Sequence, residues 1–290
     1  MCIRDRPYIN VCKFSLQSIM ARVIVVTSGK GGVGKTTTTS NLGMALARLN
    51  YNTLLMDADV GLRNLDLLLG LENRIIYTGS DVLAETCRLD QALIKDKRQS
   101  KLTFFPLSSN QIKESITQSQ IQKLVDSLEN ENKFDFILID SPAGIDEGFQ
   151  TAIHSAKEAI IVVTPEVPSI RDADRVIGLL LAKGIRKISL LVNRIRPNMI
   201  KSEDMMSIED VKNILGIPLI GAIPDNEQVI IASNRGEPIV LEEKLTPAGI
   251  AFENTARRLV GEEVEFLNFN GSTLKNPVKR FLGNLLNRSK

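Results

Sequence analysis

Residues 23–37 read Val23-Ile24-Val25-Val26-Thr27-Ser28-Gly29-Lys30-Gly31-Gly32-Val33-Gly34-Lys35-Thr36-Thr37. Five strand-favouring residues run into a glycine-rich loop, and a helix-compatible stretch follows. Gly29, Gly34, Lys35 and Thr36 satisfy the spacing Gly-x-x-x-x-Gly-Lys-Ser/Thr. Glycines let the backbone wrap a phosphate closely, and the successive N–H groups of Gly31, Gly32, Val33 and Gly34 suit an anion nest. The helix that begins near Thr36 and Thr37 turns its N-terminus to the same charge. Lys35 is placed for the β- and γ-phosphates and the Thr36 hydroxyl for Mg²⁺. Lys30 is a second lysine inside the loop. On the residues alone it is either a solvated surface charge or a further phosphate ligand.

Two acidic segments accompany this loop. The apolar run 53–56 ends in Asp57-Ala58-Asp59-Val60-Gly61-Leu62-Arg63-Asn64-Leu65-Asp66. Asp59 and Asn64 are candidates to position Mg²⁺ or an attacking water. The plain alternative for Asp57 or Asp59 is a helix N-cap. The run 136–139 ends in Asp140-Ser141-Pro142-Ala143-Gly144. Four apolar residues followed by Asp is a weak pattern alone and a strong one beside a phosphate loop. Asp140 is expected to hold Mg²⁺ through its waters. The Gly144 N–H is expected to face the γ-phosphate, so that its segment shifts when that phosphate leaves. No arginine finger stands out, so a lone copy is expected to hydrolyse slowly.

Outward from the loop, short β-rich runs at 23–27, 53–57, 102–106, 136–140, 159–164, 188–193 and 219–224 alternate with helical patterns. The helices are expected near 35–49, 117–131, 169–183, 207–215 and 246–260. Most runs are apolar at nearly every position, as in strands covered on both faces. Ser207 and Asp210 have capping-box spacing. The alternation predicts an α/β fold with a doubly wound, mainly parallel sheet flanked by helices, in which ligands bind at the carboxyl ends of the strands. The polar stretch 111–131 carries no assignable chemistry.

Composition removes other classes. Three cysteines, two of them within the first 12 of the 290 residues, cannot build a disulfide scaffold or supply four thiolates to a metal. The single histidine excludes a His-rich metal site, and His154 and Cys87 read as packing or surface residues. No apolar run reaches the roughly 18–20 residues of a spanning helix. The net charge is +2, with +2 carried by residues 1–20 and +5 by residues 266–290, leaving −5 on residues 21–265. Such an acidic body does not suit a bulk nucleic-acid binder, and no sequence-specific nucleic acid is expected.

The two ends differ from the body. Residues 1–19 show no clear period and no secretory pattern. Met20 is read as the natural start and 1–19 as an upstream extension, either not native or disordered. The domain proper is expected over 20–265, with a linker and helix over 266–290. Within 274–290, Asn276 and Pro277 suit a helix start. Val278, Phe281, Leu282, Leu285 and Leu286 then fall within an arc of about 140°. Arg280, Asn284 and Asn287 lie opposite, and Lys279 and Arg288 flank the stripe. This is the pattern of an interfacial amphipathic helix on an anionic membrane surface. Five apolar side chains at about 1.5–3 kcal/mol each are largely offset by about 1–2 kcal/mol per ordered residue. One tail is therefore marginal, whereas two on a dimer gain ~10²–10⁴-fold from effective concentration.

The loop Lys30-Gly31-Gly32-Val33-Gly34-Lys35-Thr36-Thr37 resembles the deviant Walker A motif of the MinD/ParA family of dimeric P-loop ATPases. The segment 57–66 resembles that family's switch I, in the form found in its division-site members, and 140–145 its switch II. The resemblance covers essentially 20–290. It implies ATP and Mg²⁺ as ligands, and a homodimer in which Lys30 crosses to the partner's nucleotide. It implies that Asn193, Arg194, Pro224 and Asp225 hold the adenine, with 232–238 also fitting. It implies that the stretch 165–175 lies near the dimer and partner face. As function it implies an ATPase that binds membrane as an ATP dimer and helps place the division septum. A MinC-like division inhibitor and a MinE-like activator are the implied partners. A bacterial cytoplasm and a plastid stroma fit equally. Three rivals stand beside it. A DNA-partitioning relative needs a basic surface the body lacks. An iron–sulfur carrier needs paired cysteines. A non-hydrolysing scaffold has no use for Thr36, Asp59 and Asp140 together.

Overall fold

The computed structural model describes residues 20–59, 63–108 and 116–268. The extension 1–19, part of the acidic segment at 60–62, part of the polar stretch at 109–115, and the tail with Val278, Lys279, Arg280, Phe281, Leu282, Leu285 and Leu286 lie outside the described residues.

Strands β1 (Arg22–Thr27), β2 (Thr53–Asp57), β3 (Ile94–Lys95), β4 (Leu102–Pro106), β5 (Phe136–Asp140), β6 (Glu158–Val163), β7 (Lys187–Ile195) and β8 (Leu219–Pro224) form one sheet. Its order is β3-β4-β2-β5-β1-β6-β7-β8. Every pairing is parallel except β3 with β4 at one edge. The helices are α1 (Lys35–Arg48), α2 (Leu65–Leu69), α3 (Gly79–Leu83), α4 (Leu89–Ala92), α5 (Gln118–Asn130), α6 (Glu147–His154), α7 (Val167–Ala182), α8 (Pro197–Lys201), α9 (Ile208–Leu215), α10 (Glu227–Asn234) and α11 (Pro247–Leu259). The doubly wound α/β fold expected from the alternation is the fold observed.

The unbroken apolar runs have a direct cause. Side chains of a strand alternate between faces, and both faces here are covered. In β1, Val23 and Val25 join the core under α5, α6, α7 and α9, while Ile24 and Val26 join the core under α1 and α11. The strand order reverses around β1, since the chain moves from β1 out to β2 and later returns from β5 across β1 to β6. In sheets of this kind that reversal opens a crevice at the carboxyl edge. The glycine-rich loop sits there.

The helix expected near 117–131 forms as α5, and it gives the described part of the polar stretch a structural role. Thr117 caps α5 by accepting the Gln120 N–H at 3.3 Å. Ile121, Leu124, Val125 and Leu128 form one buried stripe at helical spacing. The Ser207–Asp210 capping box forms as expected at the start of α9. Among the described residues, no helix is long and apolar enough to cross a membrane.

Candidate active site

The loop 28–34 leaves β1 at the sheet's centre and α1 starts directly behind it. Gly34 stands at the N-cap with φ 95° and ψ 33°, a left-handed conformation that L side chains resist. Lys35, the first helical residue, is buried, and its Nζ donates to Ser28 Oγ at 3.0 Å. Ser28 Oγ in turn donates to the Lys30 carbonyl at 2.7 Å. Burial holds the Lys35 ammonium below its ordinary range, against the opposite pull of Asp140 and Asp59. One turn along α1, the Thr39 hydroxyl donates to Asp140 Oδ1 at 2.9 Å.

The two acidic strand ends meet because of register. Asp57 and Asp140 are direct partners across β2 and β5. Both carboxylates are buried. Burial, with Asp140 beside it, pushes Asp57 up to about 8. Burial likewise pushes Asp140 up to about 6, although hydrogen bonds from Thr36 and Thr39 and the charge of Lys35 oppose the rise. Two buried carboxyl groups thus share one lysine, and burial disfavours their charged forms. A hard cation with phosphate oxygens fits such a donor set.

Asp57 also resolves the N-cap alternative. Its two oxygens accept the Asp59 N–H at 3.0 Å and the Leu65 N–H at 3.1 Å. It thus holds both ends of the loop that carries Asp59 and Asn64, while Asn64 occupies the N-cap position of α2. Arg63 pairs with the buried Asp66 at 2.8 Å and reaches the Ser108 carbonyl at 3.2 Å. Gly144 has φ 90° and follows β5 on the same edge of the sheet.

On the other flank of β1, the ends of β7 and β8 open a cavity of about 590 Å³. Gly34, Thr37, Asn193, Arg194, Pro224 and Asp225 all line it. The Asn193 amide donates to the Val33 carbonyl at 2.8 Å, tying this wall to the phosphate loop. Arg196 pairs with Asp225 at 2.7 Å across the rim. The cavity therefore continues the phosphate loop, as the base pocket of a nucleotide site would.

Comparison with known proteins agrees with this geometry. A model of the CobQ/CobB/MinD/ParA nucleotide binding domain matches residues 24–239. The putative septum site-determining protein MinD of Emiliania huxleyi is 69% identical over 270 residues, spanning 93% of this chain and 98% of that protein. The chain belongs to the MinD/ParA family of deviant Walker A P-loop ATPases. Among solved structures, a chain of the Aquifex aeolicus MinC:MinD cell division protein complex superimposes with a TM-score of 0.80 at 50% identity, covering 86% of this chain and 99% of that one. The Pyrococcus horikoshii septum site-determining protein MinD complexed with Mg-ADP gives a TM-score of 0.74 at 30% identity, covering 83% and 96%.

The feature that marks this MinD/ParA chain as deviant, Lys30, lies apart from Lys35. Its Nζ is 3.6 Å from Glu166 Oε2, and the two side chains are 44% and 52% exposed. Glu166 is the second residue of the stretch 165–175, whose Val167 is 60% exposed. Among the other residues singled out, His154 ends α6 on the surface and Cys87 is half-buried. Sequence reasoning missed Thr39, Asp57, Leu68, Val229 and Ile230 as site residues, while Ser233, within the 232–238 stretch, does line the cavity. Thr39 was recoverable, since it lies four residues after Lys35 on one helix face. Leu68, Val229 and Ile230 line the cavity without any local signature.

Proposed function

We propose that this chain hydrolyses ATP to ADP and phosphate, slowly as a monomer and faster as an ATP-bound homodimer. We further propose that the ATP state carries it to a membrane surface to help place the division septum. The observation that carries the reading is the convergence of Lys35, Asp140 and Asp57 beside a cavity of nucleotide size. In the reaction, water attacks the γ-phosphorus, the bond from that phosphorus to the β–γ bridging oxygen breaks, and ADP leaves with that oxygen. The water's proton passes to phosphate. Such transfers depend mainly on positioning and charge neutralisation. Lys35 and the N–H groups of Gly31, Gly32, Val33, Gly34, Thr36 and Thr37 would cradle the phosphates. Thr36, Asp59 and Asp140 would hold Mg²⁺, which supplies charge neutralisation at the phosphate oxygens when bound. Asn64 would orient the attacking water, and the Gly144 N–H would sense the γ-phosphate. Asn193, Arg194, Pro224 and Asp225 would hold the base.

Lys30 has the freedom a cross-dimer role requires. An exposed ion pair at its 3.6 Å spacing is worth about 0–1 kcal/mol, so leaving Glu166 for the partner's nucleotide costs little. The stretch 165–175 adjoins it and suits a dimer and partner face. A MinC-like inhibitor is supported by the MinC:MinD complex of the Aquifex relative, and Mg-nucleotide binding by the Mg-ADP complex of the Pyrococcus one. A MinE-like activator and an anionic membrane surface are supported by the family resemblance and the 274–290 pattern. The compartment is a plastid stroma or a bacterial cytoplasm, with a soluble pool and a pool at the inner face of the membrane; algal and cyanobacterial relatives accord with both.

The test is co-sedimentation with anionic liposomes in ATP and in ADP, for 20–290 and 20–273, with phosphate release measured alongside. The reading expects only the longer form to pellet, mainly with ATP, and Lys35→Ala to release no phosphate. Pelleting that ignores nucleotide or tail refutes the membrane half. Phosphate release no higher than that of Lys35→Ala, with membrane present, refutes the enzymatic half.

A further inference from the structure

One side chain remote from the phosphate loop joins three segments behind the base cavity. Arg98 lies in the turn between β3 and β4. Its guanidinium pairs with Asp96, whose carboxylate is buried, through Nε at 3.1 Å and Nη2 at 2.6 Å. Asp96 is itself held by the Arg98 N–H at 2.7 Å. With the guanidinium so fixed, Nη2 also donates to the Leu69 carbonyl at 2.6 Å and Nη1 to the Gly236 carbonyl at 3.0 Å. Leu69 is the last residue of α2, and Gly236 lies two residues past α10. Helix ends leave carbonyls without intrahelical partners, and a planar fork satisfies two such acceptors at once.

The backbones beneath this fork leave no slack. A Cβ on Gly236 would lie 2.7 Å from Gly70 Cα, and one on Gly70 would lie 2.9 Å from the Gly236 carbonyl oxygen. Both helices line the base cavity, α2 through Leu68 and α10 through Val229, Ile230 and Ser233. At its other end α2 is tied to the phosphate side, because the Leu65 N–H is bonded to Asp57. One five-residue helix therefore runs from the buried acids, past the base, to the Arg98 fork.

We propose that Arg98 is a positioning residue that clamps α2 to α10, so that filling the base cavity fixes Leu65, and with it the bond to Asp57, at the phosphate end. Hydrolysis then depends on a nucleoside triphosphate rather than on the triphosphate alone. The inference rests on the nucleotide reading above and adds a coupling between the two ends of that site. The ligand class it selects is a triphosphate carrying a base.

The test compares the unaltered full chain with Arg98→Lys, which keeps the charge and loses the fork, and Gly236→Ala, which keeps Arg98 and forces the helix ends apart. Hydrogen exchange over residues 63–70 is followed at equal occupancy of ADP and of pyrophosphate. In the unaltered chain ADP slows exchange at least about threefold more than pyrophosphate does. In both variants that difference disappears while ADP still binds. In steady state, kcat for ATP falls about tenfold in both variants while Mg-tripolyphosphate turnover stays near its own value. The proposal is overturned if the ADP-over-pyrophosphate difference persists in the variants, if the unaltered chain shows none, or if both substrates lose rate in parallel. An unaltered chain that binds ADP with this difference but releases no phosphate from ATP refutes the ATPase reading and leaves the coupling standing. A chain that binds no ADP refutes both.

Discussion

Replacing Gly34 by alanine tests how the phosphate loop is held. Gly34 has φ 95°, and a left-handed L residue costs about 1–2 kcal/mol. The new Cβ would also lie 2.4 Å from Asn193 Nδ2, far inside contact distance. Asn193 must turn away, which breaks its 2.8 Å bond to the Val33 carbonyl in a buried place. A buried acceptor left unsatisfied costs about 1–3 kcal/mol. Together these give a loss of roughly 2–5 kcal/mol. At about 2–4 °C per kcal/mol for a chain of this size, Tm falls by roughly 5–20 °C. The assay is thermal unfolding by circular dichroism for Gly34→Ala, Asn193→Ala, the double variant and Gly32→Ala. Gly32 has φ 77° and no neighbour within 4 Å of an added Cβ, so it isolates the backbone contribution. The double variant loses the same bond but has no clash, so its cost falls short of the summed singles by about 1–3 kcal/mol. Strict additivity, or a Gly34→Ala loss no larger than that of Gly32→Ala, would show that Asn193 does not brace the loop.

Three further outcomes are expected. Asp140→Asn removes a charge that burial disfavours, so Tm without nucleotide does not drop, while Mg-dependent phosphate release falls by about 10²-fold or more. Arg63→Met strands the buried Asp66 carboxylate and lowers stability by about 3 kcal/mol in urea unfolding; a loss below half that would place Asp66 in contact with water. Burial raises the Glu158 carboxyl, but Arg22 and Lys187 outweigh it and hold the group below its ordinary value. The stability this supplies is present above the unfolded value and lost as pH falls through the folded one. The Tm gap between the unaltered chain and Glu158→Gln therefore narrows between about pH 6 and about pH 3. A gap that stays constant over that range would remove Glu158 from the acid response.

What the sequence made legible follows the reach of each signal. Strands buried on both faces announce themselves as apolar runs, so the run 53–57 matches β2 and the run 159–164 matches β6 to one residue. Longer helices with one apolar face are legible for the same reason. α2, α3, α4 and α8 span four or five residues, too few for a period to repeat. β3 is two residues long and exists through its antiparallel pairing with β4. At the site, the phosphate end is legible because one contiguous loop carries it. The base cavity is assembled from β7, β8, α2 and α10, so its residues came from family resemblance, and Leu68 from neither. Asp57 escapes a reading of the sequence because its importance lies in its register against Asp140, which no single strand states.

The position of β1 at the centre of the sheet divides the molecule's evolutionary freedom. The paired acids Asp57 and Asp140 come from β2 and β5 on one flank, and the cavity residues Asn193, Arg194 and Pro224 come from β7 and β8 on the other. A change on one flank that leaves α2 and α10 undisturbed is felt on that side of β1, whereas one that moves either helix is passed to the other side. Where Gly70 passes Gly236 the flanks touch, and there a substitution on either side must be matched on the other.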